Sequence, residues 1–215
     1  MTELVMSGPE AATAVLMLAH GAGAPLSSAW FDQMAEALGE EGLRVARFNF
    51  AYMAARAETG SRKPPPKAET LMPEYVAAVA ALRPKLRKDQ RLLIGGKSMG
   101  GRVASLVAAE LYAAKQIRGL VCLGYPFHPP GKPTSLRTAH LADLSCPTLI
   151  LQGERDPFGG RDEVGGYALS PAIEVAWLPD GDHDFAPRRG SGATRRGNIE
   201  TAAAAVAAFA RRVDG

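Results

Sequence analysis

The sequence predicts a three-layer α/β fold, with helices on both faces of a mostly parallel central sheet. Runs of Leu, Ile and Val alternate along the chain with segments whose apolar residues recur at helical spacing. Continuous apolar runs are typical of strands covered on both faces, and the strand–helix alternation favours parallel pairing. A chain of 215 residues, 47% of them apolar, is long enough to form a single domain, 1–215, with a sizeable core. The predicted strands cover 15–20, 44–50, 91–96, 119–125, 147–153 and 173–179.

Four helices are predicted from the same pattern. Pro84 should bend or end the second of them, because proline lacks the backbone N–H that a helix interior needs. The segment 61–67, rich in Pro, Lys and Arg, is predicted to be a surface loop. The segment 124–145, between the fourth and fifth strands, has only about 22 residues, so no large cap domain is expected. The predicted helices cover 30–38, 71–86, 103–111 and 199–213.

Charge and cysteine content narrow the function classes. The chain has 25 Lys and Arg against 22 Asp and Glu, and this net charge of +3 is mild compared with the basic surface that nucleic-acid binding requires. The segment 1–10 carries acidic residues and no run approaches about 18 apolar residues, so a cytoplasmic protein without a membrane partner is expected. Cys122 and Cys146 lie beside strand-like runs, and buried reduced thiols are expected rather than a disulfide scaffold.

A glycine-rich turn, Gly-Lys-Ser-Met-Gly at 96–100, stands between the strand 91–96 and the helix 103–111. This is a Gly-x-Ser-x-Gly pattern, in which the serine occupies a tight, strained turn where larger flanking side chains would collide. Ser98 in such a turn could instead be an ordinary helix N-cap. The position between a strand and a helix favours a nucleophilic serine, because that is the context in which the pattern has this role.

A serine hydroxyl is a weak nucleophile at neutral pH unless a base takes its proton, so a histidine and a carboxylate should lie nearby. Asp156 follows the strand 147–153 and His183 follows the strand 173–179. Both should therefore lie in loops at the carboxyl edge of the sheet, the same edge that presents Ser98. The order Ser98, Asp156, His183 along the chain is the order expected for this kind of catalytic triad.

Other residues are candidates for the base and its carboxylate. Asp182 and Asp184 flank His183, but sequence neighbours usually point away from an imidazole, so Asp156 is the better candidate to orient its N–H. The other three of the four histidines precede Asp156 in the chain. A solvated turn histidine remains the alternative interpretation of His183.

Acyl transfer also needs hydrogen-bond donors for the oxyanion that develops in the tetrahedral intermediate. The turn His-Gly-Ala-Gly at 20–23 ends the first predicted strand with small residues whose backbone N–H groups could face Ser98. We predict that Ala22 and Met99, the residue after the nucleophile, donate these hydrogen bonds. A glycine-rich turn without a catalytic role is the alternative.

Five short segments together resemble the α/β-hydrolase superfamily, and within it the small hydrolases related to dienelactone hydrolase that lack a large lid. The resemblance covers about 14–210 and is closest to a bacterial family that shares its pattern with the hydrolase-like domain of a subunit of the NSL chromatin-acetylation complex. It implies an α/β-hydrolase fold and a triad of Ser98, Asp156 and His183. Dienelactone hydrolase has a cysteine nucleophile where this chain has Ser98, so lactone specificity is not implied. The segments are HGAGAP, GKSMGGRVAS, GYPFHPPGKP, LQGERDPFG and DGDHDF.

The sequence therefore predicts a serine hydrolase that cleaves a small-molecule carboxylic ester or thioester through an acyl-enzyme. No cofactor, metal or nucleic acid is expected, and the oligomeric state is not predicted. The alternative is a non-catalytic binding module on a hydrolase-like scaffold. The presence of all three triad candidates favours the enzyme, since a module that had lost catalysis could also have lost any of them.

Three residues of the segment after the fourth strand are candidates for substrate binding. His128, Arg137 and His140 should emerge at the edge of the sheet that presents Ser98, where they would favour an ester carrying a carboxylate or phosphate. The alternative is that they are polar residues of an exposed, proline-rich loop.

Overall fold

The computed structural model describes residues 3–60 and 64–213. Within them a seven-stranded sheet has the order β1-β3-β2-β4-β5-β6-β7, in which β1 pairs antiparallel with β3 and all other pairs are parallel. The predicted three-layer α/β fold, with a mostly parallel sheet, is confirmed. The strands are β1 (Val5–Ser7), β2 (Ala14–Ala19), β3 (Arg44–Phe48), β4 (Arg91–Lys97), β5 (Gly119–Leu123), β6 (Thr148–Gly153) and β7 (Ile173–Leu178).

Helices cover both faces of this sheet, and each face has its own apolar core. On one face α1 and α6 pack on strand residues such as Leu18 and Leu151, and on the other α3 and α4 pack on residues such as Met17 and Ile94. Alternate residues of one strand thus enter opposite cores, as the period of two in a strand requires. The helices are α1 (Ala29–Glu40), α2 (Ala51–Thr59), α3 (Met72–Leu82), α4 (Met99–Ala113), α5 (Arg161–Val164) and α6 (Arg195–Arg212).

Three elements were not predicted from the sequence: helix α2, the four-residue helix α5 and the edge strand β1. The strand predicted at 44–50 ends at Phe48, because its partner strand β2 ends opposite it, and helix α2 begins three residues later. The edge strand β1 has only three residues, too few to produce a periodic signal. The predicted effect of Pro84 is confirmed, since α3 ends at Leu82 and a 3-10 turn follows. Within the predicted loop 61–67, residues 64–67 have no regular structure, and 61–63 lie outside the described residues.

The strand order places the loops after β2 and β4 side by side. From β2 the chain moves outward to β3, and it then returns to β4 on the other side of β2. In open α/β sheets such a reversal leaves a crevice at the carboxyl ends of the two neighbouring strands. The turn after β2 begins at His20 and the turn after β4 holds Ser98, so the two predicted glycine-rich segments meet at this crevice.

The remaining expectations about the chain concern membranes and cysteines. Across residues 3–60 and 64–213, no helix combines the length and the apolar composition needed to cross a membrane. Cys122 and Cys146 are both buried and form no disulfide, as expected. Burial raises the pKa of the Cys146 thiol to about 12, so this thiol stays protonated at neutral pH.

Candidate active site

Ser98 occupies a strained backbone conformation between β4 and α4. Its φ of 51° and ψ of −115° lie outside the regions that a residue with a side chain normally adopts. Conformations of this kind raise the free energy of the folded state by about 1–3 kcal/mol and concentrate at functional sites. The turn therefore holds the Ser98 side chain at the end of the strand at the expense of stability.

Both glycines of the pattern are required by close backbone contacts. A Cβ on Gly96 would lie 2.7 Å from the carbonyl oxygen of Ala19, and one on Gly100 would lie 2.6 Å from that of His20. Both distances are shorter than any contact a real Cβ makes, and in each case the obstacle is backbone that cannot move aside. The two glycines thus allow the turn around Ser98 to pack directly against the end of β2.

Replacing Ser98 with glycine or with alanine removes the hydroxyl in both cases, so a comparison of the two variants measures the backbone strain at this position. Glycine adopts the observed φ without strain, although it loses more conformational entropy on folding. We expect Ser98→Gly to be more stable than Ser98→Ala by about 1 kcal/mol, which corresponds to roughly 2–4 °C in melting temperature for a domain of this size. Calorimetry of the two variants measures this difference. A Ser98→Gly variant that melts at or below Ser98→Ala would show that the turn is not strained.

Asp156 and His183 are brought together by the loops after β6 and β7. His183 Nδ1 lies 2.8 Å from Asp156 Oδ2, and the Asp156 side chain is completely buried. The carboxylate also accepts a hydrogen bond from the backbone N–H of Phe158 (2.9 Å) and one from Nε2 of Gln152 (3.0 Å). These two contacts are both with N–H donors, so the carboxyl oxygens act as acceptors.

These contacts assign the tautomer of the His183 ring. Because Asp156 accepts, Nδ1 of His183 carries the hydrogen, and the lone pair of the neutral imidazole lies on Nε2. The Phe158 ring packs against the imidazole with its centroid 4.3 Å away. The His183 side chain remains about one fifth exposed, at 20%. An oriented imidazole with a free Nε2 can accept a proton from a hydroxyl group in front of it.

The turn after β2 is held by a buried histidine. The backbone N–H of Phe50 donates to Nε2 of His20 (3.0 Å), so Nδ1 carries the hydrogen and donates to the carbonyl oxygen of Gly21 (2.6 Å). Burial lowers the pKa of His20, which favours this neutral form. In a trans peptide the C=O and the following N–H point in opposite directions, so the N–H of Ala22 is directed away from His20.

Ser98 and His183 line the same cavity, which has a volume of about 300 Å³. Ala22 lines it too, and Met99, at the first position of helix α4, has an N–H for which the helix provides no acceptor. A larger cavity of about 730 Å³ between β1, α2 and α3 contains neither Ser98 nor His183, so size alone does not identify the site. The other apolar side chains around the smaller cavity are Ala24, Trp30, Phe31 and Phe158.

A family model described as an alpha/beta hydrolase domain matches residues 12–211, which is nearly the whole chain. The chain belongs to the alpha/beta hydrolase domain family. The residues matched by the family model include the turn of Ser98 and the pair of His183 and Asp156. They also include strands β2, β3 and β4, where the strand order of this alpha/beta hydrolase domain reverses.

Several solved structures share this fold. Dienelactone hydrolase from Anabaena variabilis is 20% identical with a TM-score of 0.73, and the match covers 98% of this chain and 91% of that one. An a/b serine hydrolase without lid from Xanthomonas campestris is 22% identical with a TM-score of 0.65, covering 98% and 88%. Est1E from Butyrivibrio proteoclasticus, with ferulic acid bound, is 15% identical with a TM-score of 0.70, covering 98% and 94%. At these identities the likeness establishes the fold.

The three residues predicted to bind substrate contact parts of this alpha/beta hydrolase domain other than the cavity beside Ser98. His128 is buried, with Nε2 3.2 Å from Glu163 Oε1, and His140 Nε2 lies 2.8 Å from the Ser105 hydroxyl. Arg137 is half-buried, and burial together with the positive charge of Arg102 lowers its pKa. None of the three lines the cavity beside Ser98, so we leave them out of the proposed site.

Three residues at the site were missed by the sequence analysis. Gln152 is a buried amide that follows three apolar residues of β6, and Phe158 supplies both an N–H to Asp156 and a ring against His183. Lys97 precedes Ser98 and is buried at the end of β4, beside the cavity. A polar side chain within an apolar strand is a signal that could have identified Gln152 and Lys97, because buried polar groups need partners. Nothing in the local sequence indicates the role of Phe158.

The side chains that could bind a metal ion are the His, Cys, Asp and Glu residues of the described ranges, 3–60 and 64–213. No group of three or more His, Cys, Asp and Glu side chains there has the proximity needed to hold a metal ion.

Proposed function

We propose that this protein is a serine hydrolase that cleaves a carboxylic ester or thioester through an acyl-enzyme. Ser98 is the nucleophile, His183 the general base and then the general acid, and Asp156 the group that orients the imidazole. The observation that carries the proposal is the 2.8 Å contact between His183 and the buried Asp156, on a histidine that lines the same cavity as Ser98. A histidine with a merely solvated role would not need a buried carboxylate partner.

The proposed acylation half-reaction follows from the protonation of His183. Nε2 takes the proton of the Ser98 hydroxyl while Oγ bonds to the acyl carbon, and the carbonyl oxygen becomes an oxyanion. Asp156 stabilises the resulting imidazolium through its contact with Nδ1–H. When the intermediate collapses, the bond to the alcohol or thiol breaks, and the imidazolium gives its proton to that leaving group.

Deacylation repeats these steps with water as the nucleophile. His183 Nε2 takes a proton from water as its oxygen bonds to the acyl carbon, a second oxyanion forms, and collapse releases the carboxylic acid and returns the proton to Ser98. No other reactant is required.

The oxyanion of both half-reactions is proposed to accept hydrogen bonds from the N–H groups of Ala22 and Met99. Met99 begins a helix of 15 residues, whose N-terminus carries partial positive charge. His20 supports this role by holding the Gly21 carbonyl (2.6 Å), which directs the Ala22 N–H away from His20.

Replacing His20 with phenylalanine tests the support of Ala22. The new ring keeps an aromatic group beside Phe50 and Tyr52 but cannot donate to Gly21. Losing one oxyanion donor lowers kcat by about 10²–10³-fold, so a donor that is only misdirected should lower it by about 10-fold or more with little change in KM. Steady-state kinetics with an activated ester measure both constants. An unchanged kcat in a folded variant would remove Ala22 from the proposed oxyanion site.

Reaction with a fluorophosphonate probe tests the proposed function directly. The probe phosphorus should bond to Ser98 Oγ with loss of fluoride, because this requires the same activated hydroxyl as acylation. Peptide mass spectrometry should find the label on Ser98, and the label should be absent from Ser98→Ala. Ser135→Ala, which removes an exposed serine elsewhere, is the matched control and should be labelled normally. A folded wild-type protein that is never labelled at Ser98 would instead favour a binding module.

The choice of substrate rests on the cavity. Its apolar walls and volume of about 300 Å³ suit a small, largely apolar acyl or alcohol group. Dienelactone hydrolase and the ferulic acid bound to Est1E suggest aromatic and cyclic esters as compounds to include in a screen. Membership of the bacterial family related to the NSL subunit and a cytoplasmic location belong to the same proposal, and neither alters the proposed chemistry.

A further inference from the structure

Lys97, the chain neighbour of Ser98, is buried beside the cavity, with only 8% of its side chain exposed. Its Nζ lies 3.2 Å from Oδ1 of Asp184 and 5.4 Å from the centroid of the Trp30 ring. Asp184 is in turn the chain neighbour of His183. An ion pair therefore joins the residue before the proposed nucleophile to the residue after the proposed base.

The ion pair between Lys97 and Asp184 is buried on the lysine side. Burial lowers the pKa of Lys97, and the carboxylate of Asp184 opposes that shift by favouring the charged ammonium group. A buried ammonium group without a counter-charge is strongly unfavourable, whereas Asp184 is 63% exposed and tolerates separation. The dependence is thus unequal: the lysine needs the aspartate, and it draws the loop that carries the aspartate toward β4.

Two further contacts hold the backbone of Asp184 in place. The indole N–H of Trp30 donates to the Asp184 carbonyl oxygen (3.1 Å), and the Asp184 N–H donates to Oδ1 of Asp182 (2.8 Å). Lys97 also lies over the same Trp30 ring. The ammonium, the indole and the loop backbone therefore hold one another, and a shift of the loop would disturb all three contacts.

We propose that Lys97 is a positioning residue, whose ion pair with Asp184 sets the location of the His183 ring relative to the Ser98 hydroxyl. The contact of Asp156 with Nδ1 orients the imidazole, but it does not connect the loop of His183 to the strand that precedes Ser98. The Lys97–Asp184 pair makes that connection. The inference rests on the proposed serine hydrolase function and adds a residue to its machinery.

A double-mutant cycle tests this role. Lys97→Met keeps the length of the side chain without its charge, and Asp184→Asn keeps the shape of its partner. We expect Lys97→Met to lower kcat for a neutral activated ester by about 10- to 100-fold, with KM changed less than 2-fold, because misplaced catalytic groups slow the reaction itself. The double variant should be no slower than Lys97→Met alone, since the two residues act through one contact.

Two comparison variants separate positioning from simple loss of stability. Lys97→Arg restores a cation for Asp184 and should recover most of the lost kcat. Arg196→Met, which breaks the exposed pair with Glu200 on α6, should leave kcat unchanged. The melting temperature of each variant shows whether it is folded. Should Lys97→Met not fold, the milder Asp184→Asn decides the question through kcat alone.

The rate of labelling of Ser98 by the fluorophosphonate distinguishes failure of this inference from failure of the proposed function. If the wild type is labelled and a folded Lys97→Met is labelled equally fast, the positioning role is wrong. The proposed hydrolase function is then unaffected. An unlabelled wild type would contradict both. A variant in which only KM rises, and only for anionic esters, would also overturn the positioning role, because Lys97 would then be a substrate-binding residue.

Discussion

Replacing Ser98 with alanine is expected to lower kcat for an activated ester by about 10³-fold or more, while the protein still folds. The change removes only the hydroxyl oxygen, and the strained backbone stays as it is, so the loss is in the chemical step. A factor of 10³ corresponds to about 4 kcal/mol of transition-state stabilisation. Steady-state kinetics together with circular dichroism and the melting temperature measure activity and folding separately.

His183→Ala is the informative companion to this variant. In a triad the nucleophile and the base act as one unit, so the double variant Ser98→Ala, His183→Ala should be scarcely slower than either single variant. Strictly additive losses would indicate two independent contributions rather than one proton transfer. Turnover at the wild-type rate in a folded Ser98→Ala protein would eliminate the proposed mechanism.

Asp156→Asn is expected to have the second largest effect, lowering kcat by about 10³- to 10⁴-fold. The asparagine amide can present its NH₂ group to His183, which then holds its hydrogen on Nε2 and can no longer accept a proton from Ser98. The shape of the side chain at residue 156 is kept, and its one carbonyl oxygen still accepts the Phe158 N–H. The Gln152 amide loses its acceptor on residue 156 but keeps the carbonyl oxygens of Tyr125 and Gly159. The melting temperature should therefore fall much less than the activity.

Asp182→Asn is the matched control for this prediction. Asp182 is next to His183 in the chain, but its Oδ1 accepts the backbone N–H groups of Asp184 and Ala186 (2.8 and 2.9 Å) and so supports the turn. An asparagine oxygen can accept the same two hydrogen bonds, so the loss of activity should be small. If Asp182→Asn were the crippling change and Asp156→Asn were not, the assignment of the carboxylate would be wrong.

The fold could be predicted from the sequence because its strong signals are local. The central strands are continuous apolar runs, and Pro84 marks the end of α3, so neither needs tertiary information. Helix α2 could not be found in this way. Its start is set by the end of the β2–β3 ladder at Phe48 and by the hydrogen bond from the Phe50 N–H to His20, both of which join segments distant in the chain.

The same distinction holds for the candidate site. Ser98, Asp156 and His183 were predicted together because each follows a strand, and topology alone places such loops at one edge of the sheet. The contacts that a side chain makes cannot be predicted from its position after a strand. His128 and His140 lie after a strand as well, yet their rings contact Glu163 and Ser105, residues that no local pattern connects to them. Lys97 and Asp184 are 87 positions apart, and only the packing around Trp30 brings them together.

The short connection between β5 and β6 has a consequence for selectivity. In this connection, which lies entirely within the described residues, the only regular structure between Leu123 and Thr148 is a 3-10 turn, Ala139–Leu141, so the connection forms no domain over Ser98. In the proposed hydrolase, the cavity of about 300 Å³ would hold one end of an ester and leave the other end in water, where it gains little binding energy. We therefore expect substrate selection to depend on one side of the scissile bond, and product release not to require the opening of a lid.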